Sequence, residues 1–286
     1  MAQTIARIKI EGVIEKENET YNQKWLLENL ERLCDDKRNE ALILYIDSPG
    51  GSVYEADEVY SAVKKYKEKT KRPVYAYFAS LAASGGYYIA CAADKIIANR
   101  NTLTGSIGVI AGRFVDLTEP MKKYGIKAET IHAGRNKTMG SFTEPVTQEQ
   151  RDIMQSIADE CYAQFTGLVA ESRHLDLEKV KELADGRIYT ASQAKTLGLV
   201  DEIADFERAV EILKEKEFGD KEYKAEIRKL EVKQKRSLKK LLRGASSLFG
   251  GKGLYSGAEG ILAEEILGSS ALHVQFPAFI YEGNLR

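Results

Sequence analysis

Residues 41–51, ALILYIDSPGG, predict a buried strand that runs directly into a glycine turn and then a helix. Residues 79–90, ASLAASGGYYIA, repeat this arrangement further along the chain. An apolar run as short as Ala41–Ile46 needs cover on both faces, which is typical of a strand in a parallel sheet flanked by helices. Two such units place two glycine turns at one edge of the sheet, where ligands and reacting groups of open α/β proteins collect.

The two glycine turns supply the parts of an acyl-transfer site. The first, DSPGG at 47–51, offers unobstructed backbone N–H groups at the start of a helix. The second presents Ser84 immediately before Gly85 and Gly86, again where a helix should begin. One side chain that can attack and one set of donors that can hold an oxyanion are the minimum for acyl transfer.

The overall composition is that of an ordinary globular protein. The 286 residues are 43% hydrophobic and 30% charged, and the net charge of -1 gives no chain-wide field that would favour nucleic acid. Cys34, Cys91 and Cys161 lie far apart without a CxxC spacing, so neither a disulfide framework nor a zinc site is predicted. We expect no metal and no cofactor.

The N-terminus predicts neither a secretion signal nor an anchor. The alternating strand pattern ARIKIEGVI begins at residue 6, with no basic segment followed by a long apolar one. No window approaches the ~20 apolar residues of a membrane span. The chain as given is therefore expected to be soluble or cytoplasmic.

Helices and short strands alternate along the first 200 residues, which indicates βαβ crossovers and a mostly parallel sheet. The predicted strands are Thr4–Ile14, Ala41–Ile46, Val74–Phe78, Lys95–Ala98 and one near Ile107–Ile110, with an extended run at Ala128–His132. The predicted helices are Tyr21–Leu33, Ser52–Lys69, Asp116–Tyr124, Gln148–Ser172 and Leu177–Ala184, and residues 186–201 should form a strand, a short helix and a final strand.

The character of the chain changes towards the C-terminus, and we divide it into a core domain, 1–215, and a tail, 216–286. Residues 224–243 contain nine Lys or Arg and two acidic residues with an apolar stripe, which predicts a basic amphipathic helix. It either docks on the core by that stripe or makes peripheral contact with a membrane or an anionic partner. The glycine- and serine-rich remainder could pack on a neighbour or lie across a peptide groove as an extended segment.

A serine nucleophile needs a base. His132, His174 and His273 have no evident Asp partner at the catalytic edge, so a Ser-His-Asp triad is disfavoured. A neutral lysine is the alternative, since burial and nearby donors can lower the usual lysine pKa of about 10.4. Lys137 is the candidate, because the loop RNKTMG surrounds it with small residues instead of a charged helix face.

The motifs DSPGG, ASGGYYIA, TGSIGV at 104–109, the loop lysine and GRIYTASQAKTLGLVD at 186–201 occur in an order that resembles the signal peptide peptidase A family of serine proteases. The resemblance covers roughly Ile8–Asp205. It implies an α/β fold with a crotonase/Clp protease-like core, in which mostly parallel sheets with flanking helices arise from repeated ββα units.

The resemblance also implies roles for individual residues. Ser84 matches the nucleophile, Lys137 the general base, and Ser106 a serine whose hydroxyl steadies the lysine amine. Gly51 and Gly85 match the two backbone donors of the oxyanion hole. A substrate groove is expected along five small or apolar residues: Leu81, Ala82, Ala83, Thr104 and Ile107.

The family's properties extend these expectations to partners and location. Substrates would be extended, largely apolar peptides such as cleaved signal peptides or unfolded segments. The protein would form a homo-oligomeric ring in which Ser84 and Lys137 can come from neighbouring subunits, with the loop at 133–146 and the ends of helix Gln148–Ser172 at the interface. Members are usually membrane-associated.

Two other functions remain open at this stage. A crotonase-type acyl-CoA enzyme would use the same glycine-turn donors to hold a thioester oxyanion, but it would leave Ser84 and Lys137 without a role. A non-catalytic ring scaffold that binds peptides would need neither residue.

Overall fold

The computed structural model describes residues 2–220, 222–232 and the backbone of 278–280. The helices are α1 Gln23–Asp35, α2 Val53–Thr70, α3 Gly85–Ala90, α4 Thr118–Lys123, α5 Gln148–Arg173, α6 Leu177–Leu183, α7 Ala191–Thr196 and α8 Phe206–Phe218. The strands are β1 Gln3–Glu11, β2 Asn39–Ser48, β3 Gly50–Ser52, β4 Val74–Ala83, β5 Lys95–Ala98, β6 Leu103–Gly105, β7 Ile188–Thr190, β8 Glu202–Ile203, β9 Ala225–Leu230 and β10 Ala278–Ile280.

The main sheet has the order β7-β6-β4-β2-β1-β9, with β5 pairing β4 and β8 pairing β5. Every pairing in it is parallel except that of β6 with β7. The predicted α/β class with a mostly parallel sheet is confirmed. The apolar run of β2 is buried as predicted, with Ala41, Leu42, Leu44 and Ile46 all inaccessible to solvent.

The core consists of two groups of buried side chains. The larger contains residues of α1, α2, α3 and α5, such as Leu30, Val63, Tyr88 and Phe165. The smaller contains residues of α8, including Leu213, beside Ile43 and other strand residues. Helices therefore cover the parallel strands, as such a sheet requires.

β4 pairs with two different strands along its length, and the second pairing determines the position of Ser84. Its first half, Tyr75–Phe78, pairs with β5, and its end, Leu81–Ala83, pairs with β6. The strand is thus longer than the Val74–Phe78 predicted from sequence, and it ends immediately before Ser84. The strand predicted near Ile107–Ile110 is wrong, because the pairing residues are Leu103–Gly105.

Two further predictions of local structure are corrected. Residues 128–132 lie outside any strand, and Ile131 is almost fully exposed. The basic helix predicted at 224–243 is wrong over Ala225–Leu230, which forms β9 alongside β1. Tertiary pairing there outweighs the helical spacing of Ile227 and Leu230. Residues 233–243 of that predicted helix, and His273, lie outside the described residues, and the division at residue 215 stays a prediction.

Candidate active site

Ser84 lies where β4 ends and α3 begins. Its backbone has φ 53° and ψ -116°, outside the usual regions for a residue with a Cβ, and its N–H donates to the Gly105 carbonyl at 2.8 Å. The residue is 1% exposed, and its hydroxyl oxygen is a buried side-chain atom without a hydrogen-bond partner. Strained backbone and an unpaired buried hydroxyl both carry an energetic cost and are typical of functional positions.

Gly51 lies in β3, and its neighbours determine where its polar atoms face. The Gly50 carbonyl accepts from Ile14 N–H, and Ser52 N–H donates to the Ile14 carbonyl, both at 2.8 Å. Because N–H and C=O groups of successive strand residues alternate between the two edges, those of Gly51 face the opposite edge. A Cβ on Gly51 would lie 1.9 Å from the Ile14 carbonyl oxygen, so no other residue fits there.

Strand β10 lies on that opposite edge of β3. It pairs antiparallel with β3, and Phe279 stands opposite Gly51. Both β3 and β10 lie against α3, which starts at Gly85. An extended backbone thus runs past the Gly51 N–H, close to the helix start that follows Ser84.

Gly85 is the first residue of α3, so its N–H has no partner within the helix. The neighbouring Gly86 allows close packing, since a Cβ there would lie 3.3 Å from the Ser48 carbonyl oxygen. The described structure therefore gathers Ser84, Gly85 and the β3 turn at one edge of the sheet, as the two glycine motifs predict.

α3 is held in place by buried tyrosines. The Tyr87 hydroxyl donates to the Leu199 carbonyl at 2.7 Å, and the Tyr88 hydroxyl donates to Asp57 at 2.6 Å and accepts from Gln164 at 2.5 Å. Burial raises the pKa of both phenols well above its ordinary value, so they remain neutral donors. The helix that follows Ser84 is thus anchored to α2 and α5.

Lys137 makes no hydrogen bond with the Ser84 hydroxyl in this chain. Its side chain is exposed, in a run of turns where its N–H donates to the Gly134 carbonyl at 3.0 Å. Its neighbours Arg135 and Asn136 both contact Glu149 at the start of α5. The single chain therefore does not assemble the predicted Ser-Lys pair.

The remaining predicted site residues lie around Ser84. Ser106 is 7% exposed, has φ 49° and donates its N–H to the Arg187 carbonyl at 2.8 Å. Thr104 is fully buried, and its hydroxyl donates to the Ala82 carbonyl at 2.6 Å. Ala82, Ala83 and Ile107 are also fully buried, whereas Leu81 is half-buried. Their role as a groove stays a prediction.

The described histidines, His132 and His174, and the buried Cys91 are not part of this site. His132 is exposed and lies near the Gly134 carbonyl, and His174 ends α5 with φ 53°. Cys91 is a core residue, and burial raises the pKa of its thiol to about 12. Among the described residues, no group of His, Cys, Asp and Glu could hold a metal ion, and no helix has the length and apolar character needed to span a membrane.

The half-buried Asp47 and the fully buried Ser48, which the sequence did not single out, support the first glycine turn. The Asp47 carboxylate accepts from the Ser80 hydroxyl at 2.6 Å and from Leu81 N–H at 3.1 Å. The Ser48 hydroxyl donates to the Gly12 carbonyl at 2.6 Å and accepts from Gly50 N–H at 3.1 Å. The only sequence signal was their place in DSPGG, since their partners lie in other strands.

A buried hydroxyl without a partner, next to a helix start and a glycine turn at the edge of a parallel α/β sheet, is an arrangement typical of the class of acyl-transfer hydrolases. The model of peptidase family S49 matches residues 66–218, and this chain belongs to that family. The predicted relation to signal peptide peptidase A is confirmed by this match and by the relatives that follow.

Three relatives are similar over most of this chain. A Synechocystis protein named as a candidate protease is 42% identical over 72% of this chain and 71% of its own length. An Enterococcus faecium protein named as a candidate signal peptide peptidase A is 38% identical over 76% of this chain and 64% of its own. The chloroplastic serine protease SPPA of Arabidopsis thaliana is 35% identical over 74% of this chain but only 31% of its own.

Among solved structures, a point mutant of ClpP1 from Listeria monocytogenes is similar, with a TM-score of 0.48 and 20% sequence identity. The similarity covers 69% of this chain and 90% of the ClpP1 chain.

Proposed function

We propose that this serine-type peptidase of family S49 cleaves extended, largely apolar peptides, such as cleaved signal peptides, through an acyl-enzyme on Ser84. The observation that carries the proposal is the environment of Ser84. Its buried hydroxyl has no partner, its backbone is strained, and it precedes a helix start beside the β3 turn. A structural serine would be expected to pair its hydroxyl.

The proposed reaction begins with attack of Ser84 Oγ on the carbonyl carbon of the scissile bond, while the Lys137 amine takes the hydroxyl proton. The Gly51 and Gly85 N–H groups hold the carbonyl oxygen as it becomes negative. The Lys137 ammonium then gives its proton to the leaving amine. Water, activated by the same amine, hydrolyses the acyl-enzyme.

The binding mode of the substrate is supported by β10. A backbone that pairs antiparallel with Gly50–Ser52 directs one carbonyl to the Gly51 N–H, which is the arrangement a scissile carbonyl needs. Recognition through main-chain hydrogen bonds tolerates many side chains, so it suits unfolded and signal-type segments.

The position of Lys137 supports a site shared between subunits. The lysine is exposed and makes no hydrogen bond with the Ser84 hydroxyl, and its segment also exposes large apolar side chains, including Tyr124, Ile126 and Ile131. Such a surface is typical of an interface. We propose that a homo-oligomeric ring covers it and brings Lys137 of one subunit to Ser84 of the next.

Labelling with a serine-directed fluorophosphonate tests the proposal. We expect one adduct, which peptide mapping places on Ser84, and no adduct in Ser84→Ala. The wild type should cleave an unfolded apolar peptide and should not turn over acyl-CoA. Acyl-CoA turnover that persists in Ser84→Ala would support the crotonase alternative, and peptide binding without labelling or cleavage would support the scaffold.

A further inference from the structure

Ser48 is a buried polar residue to which the proposed reaction gives no role. It ends β2 and is fully buried. Its hydroxyl donates to the Gly12 carbonyl at 2.6 Å and accepts from Gly50 N–H at 3.1 Å. Because donation to Gly12 fixes the hydroxyl hydrogen, a lone pair of the oxygen is left to face Gly50.

Ser48 also touches the second turn of the site. A Cβ built on Gly86 would lie 3.3 Å from the Ser48 carbonyl oxygen and 3.5 Å from the Ser48 Cβ. Ser48 therefore packs against the backbone of α3 while it bonds the turn before β3. It lies between the two segments that carry the proposed oxyanion donors, Gly51 and Gly85.

The turn needs such a support because Gly50 has no side chain to restrict its conformation: Ile14 N–H holds its carbonyl at 2.8 Å, and its N–H bonds Ser48. Its φ of 102° lies in a region open to glycine, where no side chain restricts rotation. Gly50 is buried, so its N–H would lose its partner if the Ser48 hydroxyl were absent. An unpaired buried N–H favours rotation of the adjoining peptides, which include the one that carries the Gly51 N–H.

We propose that Ser48 is a positioning residue for the oxyanion hole, which sets the direction of the Gly51 N–H relative to that of Gly85. This inference rests on the proposed function. Ser48 makes no hydrogen bond with the Ser84 hydroxyl, and it acts through the Gly50 peptide. Its removal should therefore weaken stabilisation of the tetrahedral oxyanion more than binding of the peptide.

The test compares wild type with Ser48→Ala in peptide hydrolysis and in inhibitor binding. The inhibitors are a peptide aldehyde, which forms a tetrahedral adduct on a serine, and the matching peptide alcohol, which cannot. We expect kcat to fall by about tenfold to a hundredfold with KM changed by less than about threefold. Affinity for the aldehyde should fall by a similar factor, and affinity for the alcohol should stay the same.

Thr166→Val provides a matched control. Thr166 is also fully buried, and its hydroxyl donates to the Tyr162 carbonyl within α5 at 2.9 Å. This variant loses a buried hydroxyl away from the β3 turn. Its kcat, and the ratio of its affinity for the aldehyde to its affinity for the alcohol, should therefore match those of the wild type. An equal loss of aldehyde and alcohol affinity in Ser48→Ala would overturn the proposal, as would an unchanged kcat.

A crystal structure of Ser48→Ala separates this inference from the proposed function. We expect the Gly50–Gly51 peptide to be rotated while β2 and α3 stay in place. An unchanged turn would overturn the positioning role even if the wild type proved to have no peptidase activity. A wild type that is neither labelled nor active would contradict the proposed function alone.

Discussion

The basic group that serves Ser84 can be identified from the pH dependence of the reaction. If the uncharged amine of Lys137 takes the proton, kcat/KM should rise towards alkaline pH as the ammonium loses its proton. Lys137→Met should lower kcat by at least about a hundredfold and abolish the rise. The measurement is a pH-rate profile with a peptide substrate, and Lys127→Met, in the same exposed segment, is the control. A flat wild-type profile between about pH 6 and 10 would contradict a lysine base.

Gly51 should tolerate no side chain. A Cβ there would lie 1.9 Å from the Ile14 carbonyl oxygen and 2.6 Å from its carbonyl carbon, so Gly51→Ala must displace β3 from the segment after β1. We expect a loss of about 1–3 kcal/mol in the free energy of unfolding and a fall in kcat of at least about a hundredfold. Chemical denaturation and steady-state kinetics check both effects. Gly167→Ala is the control, because nothing lies near a Cβ there.

At the residue scale, the two glycine motifs predicted that Ser84 and the β3 turn lie close together, and the roles of these residues stay predictions. Ser84 and the β3 turn meet because both follow adjacent parallel strands, which is a consequence of topology that motif order captures. The partners of Asp47 could not be predicted, since Ser80 and Leu81 lie in β4, whose register with β2 shifts after Ile46. Ser48 bonds Gly12, beyond β1, and Gly50, the first residue of β3, and neither contact has a sequence signal. Lys137 resembled a surface lysine, and in the single chain it is exposed.

The ion pair between α5 and the residue before β8 gives the stability a dependence on pH. Arg173 donates two hydrogen bonds to Asp201, at 3.0 and 2.7 Å. Burial, the largest single influence, raises the pKa of Asp201, but the bonds from Arg173 and from Ile96 N–H outweigh it, and the pKa is lowered. A lowered carboxyl pKa stabilises the fold above the unfolded value, and this contribution is lost as the pH falls through the folded value.

Asp201→Asn should therefore destabilise the protein at neutral pH by about 1–3 kcal/mol and should reduce the loss of stability on acidification. Urea denaturation at several pH values measures both. Asp159→Asn, on the exposed face of α5, is the control and should change neither. If Asp201→Asn proved as stable as the wild type at neutral pH, a structural role for the pair would be contradicted.

At the scale of the elements, hydrophobic periodicity predicted the long helices, whereas the pairing of strands distant in sequence could not be predicted. The predicted helices at residues 52–69 and 148–172 are confirmed as α2 and α5, because their apolar positions recur every turn. β9 could not be predicted, since its helical spacing is outweighed by parallel pairing with β1. β6 could not be located from sequence, because it has only three residues and is defined by its pairing with the end of β4.

The sharing of a site between subunits can be tested with two inactive variants. Ser84→Ala and Lys137→Met should each abolish peptide hydrolysis. When they are mixed under conditions that allow subunits to exchange, some sites receive Ser84 from one variant and Lys137 from the other, so activity should return to a measurable fraction of wild type. The expected result is recovery that rises with exchange time. No recovery after demonstrated exchange would contradict a shared site.

At the scale of the whole molecule, the C-terminal strand should compete with substrate, because β10 occupies the edge of β3 that the proposed peptide needs. Removal of residues 276–286 should lower KM for short peptides, by about threefold or more, with little change in kcat. Phe279→Pro removes the backbone N–H that faces Gly51 and should act in the same direction. Unchanged kinetics, with unchanged assembly, would show that this strand does not regulate the enzyme. Unchanged kinetics and assembly after deletion of all residues beyond Gly244 would show that no part of the deleted tail regulates the enzyme.

β4 pairs with β5 up to Phe78 and with β6 from Leu81 to Ala83, so the number of residues between position 78 and Ser84 is set by the positions of both partner strands. Side chains of a strand alternate between its faces, so an added or missing residue in this interval would turn the Ser84 hydroxyl away from the β3 turn and towards the helices. Two added residues would return the Ser84 side chain to its original face of the sheet, but they would also move Ser84 along the strand, beyond the β3 turn. This short interval should therefore admit substitution of its exposed residue, Ser80, far more readily than it admits a change in length.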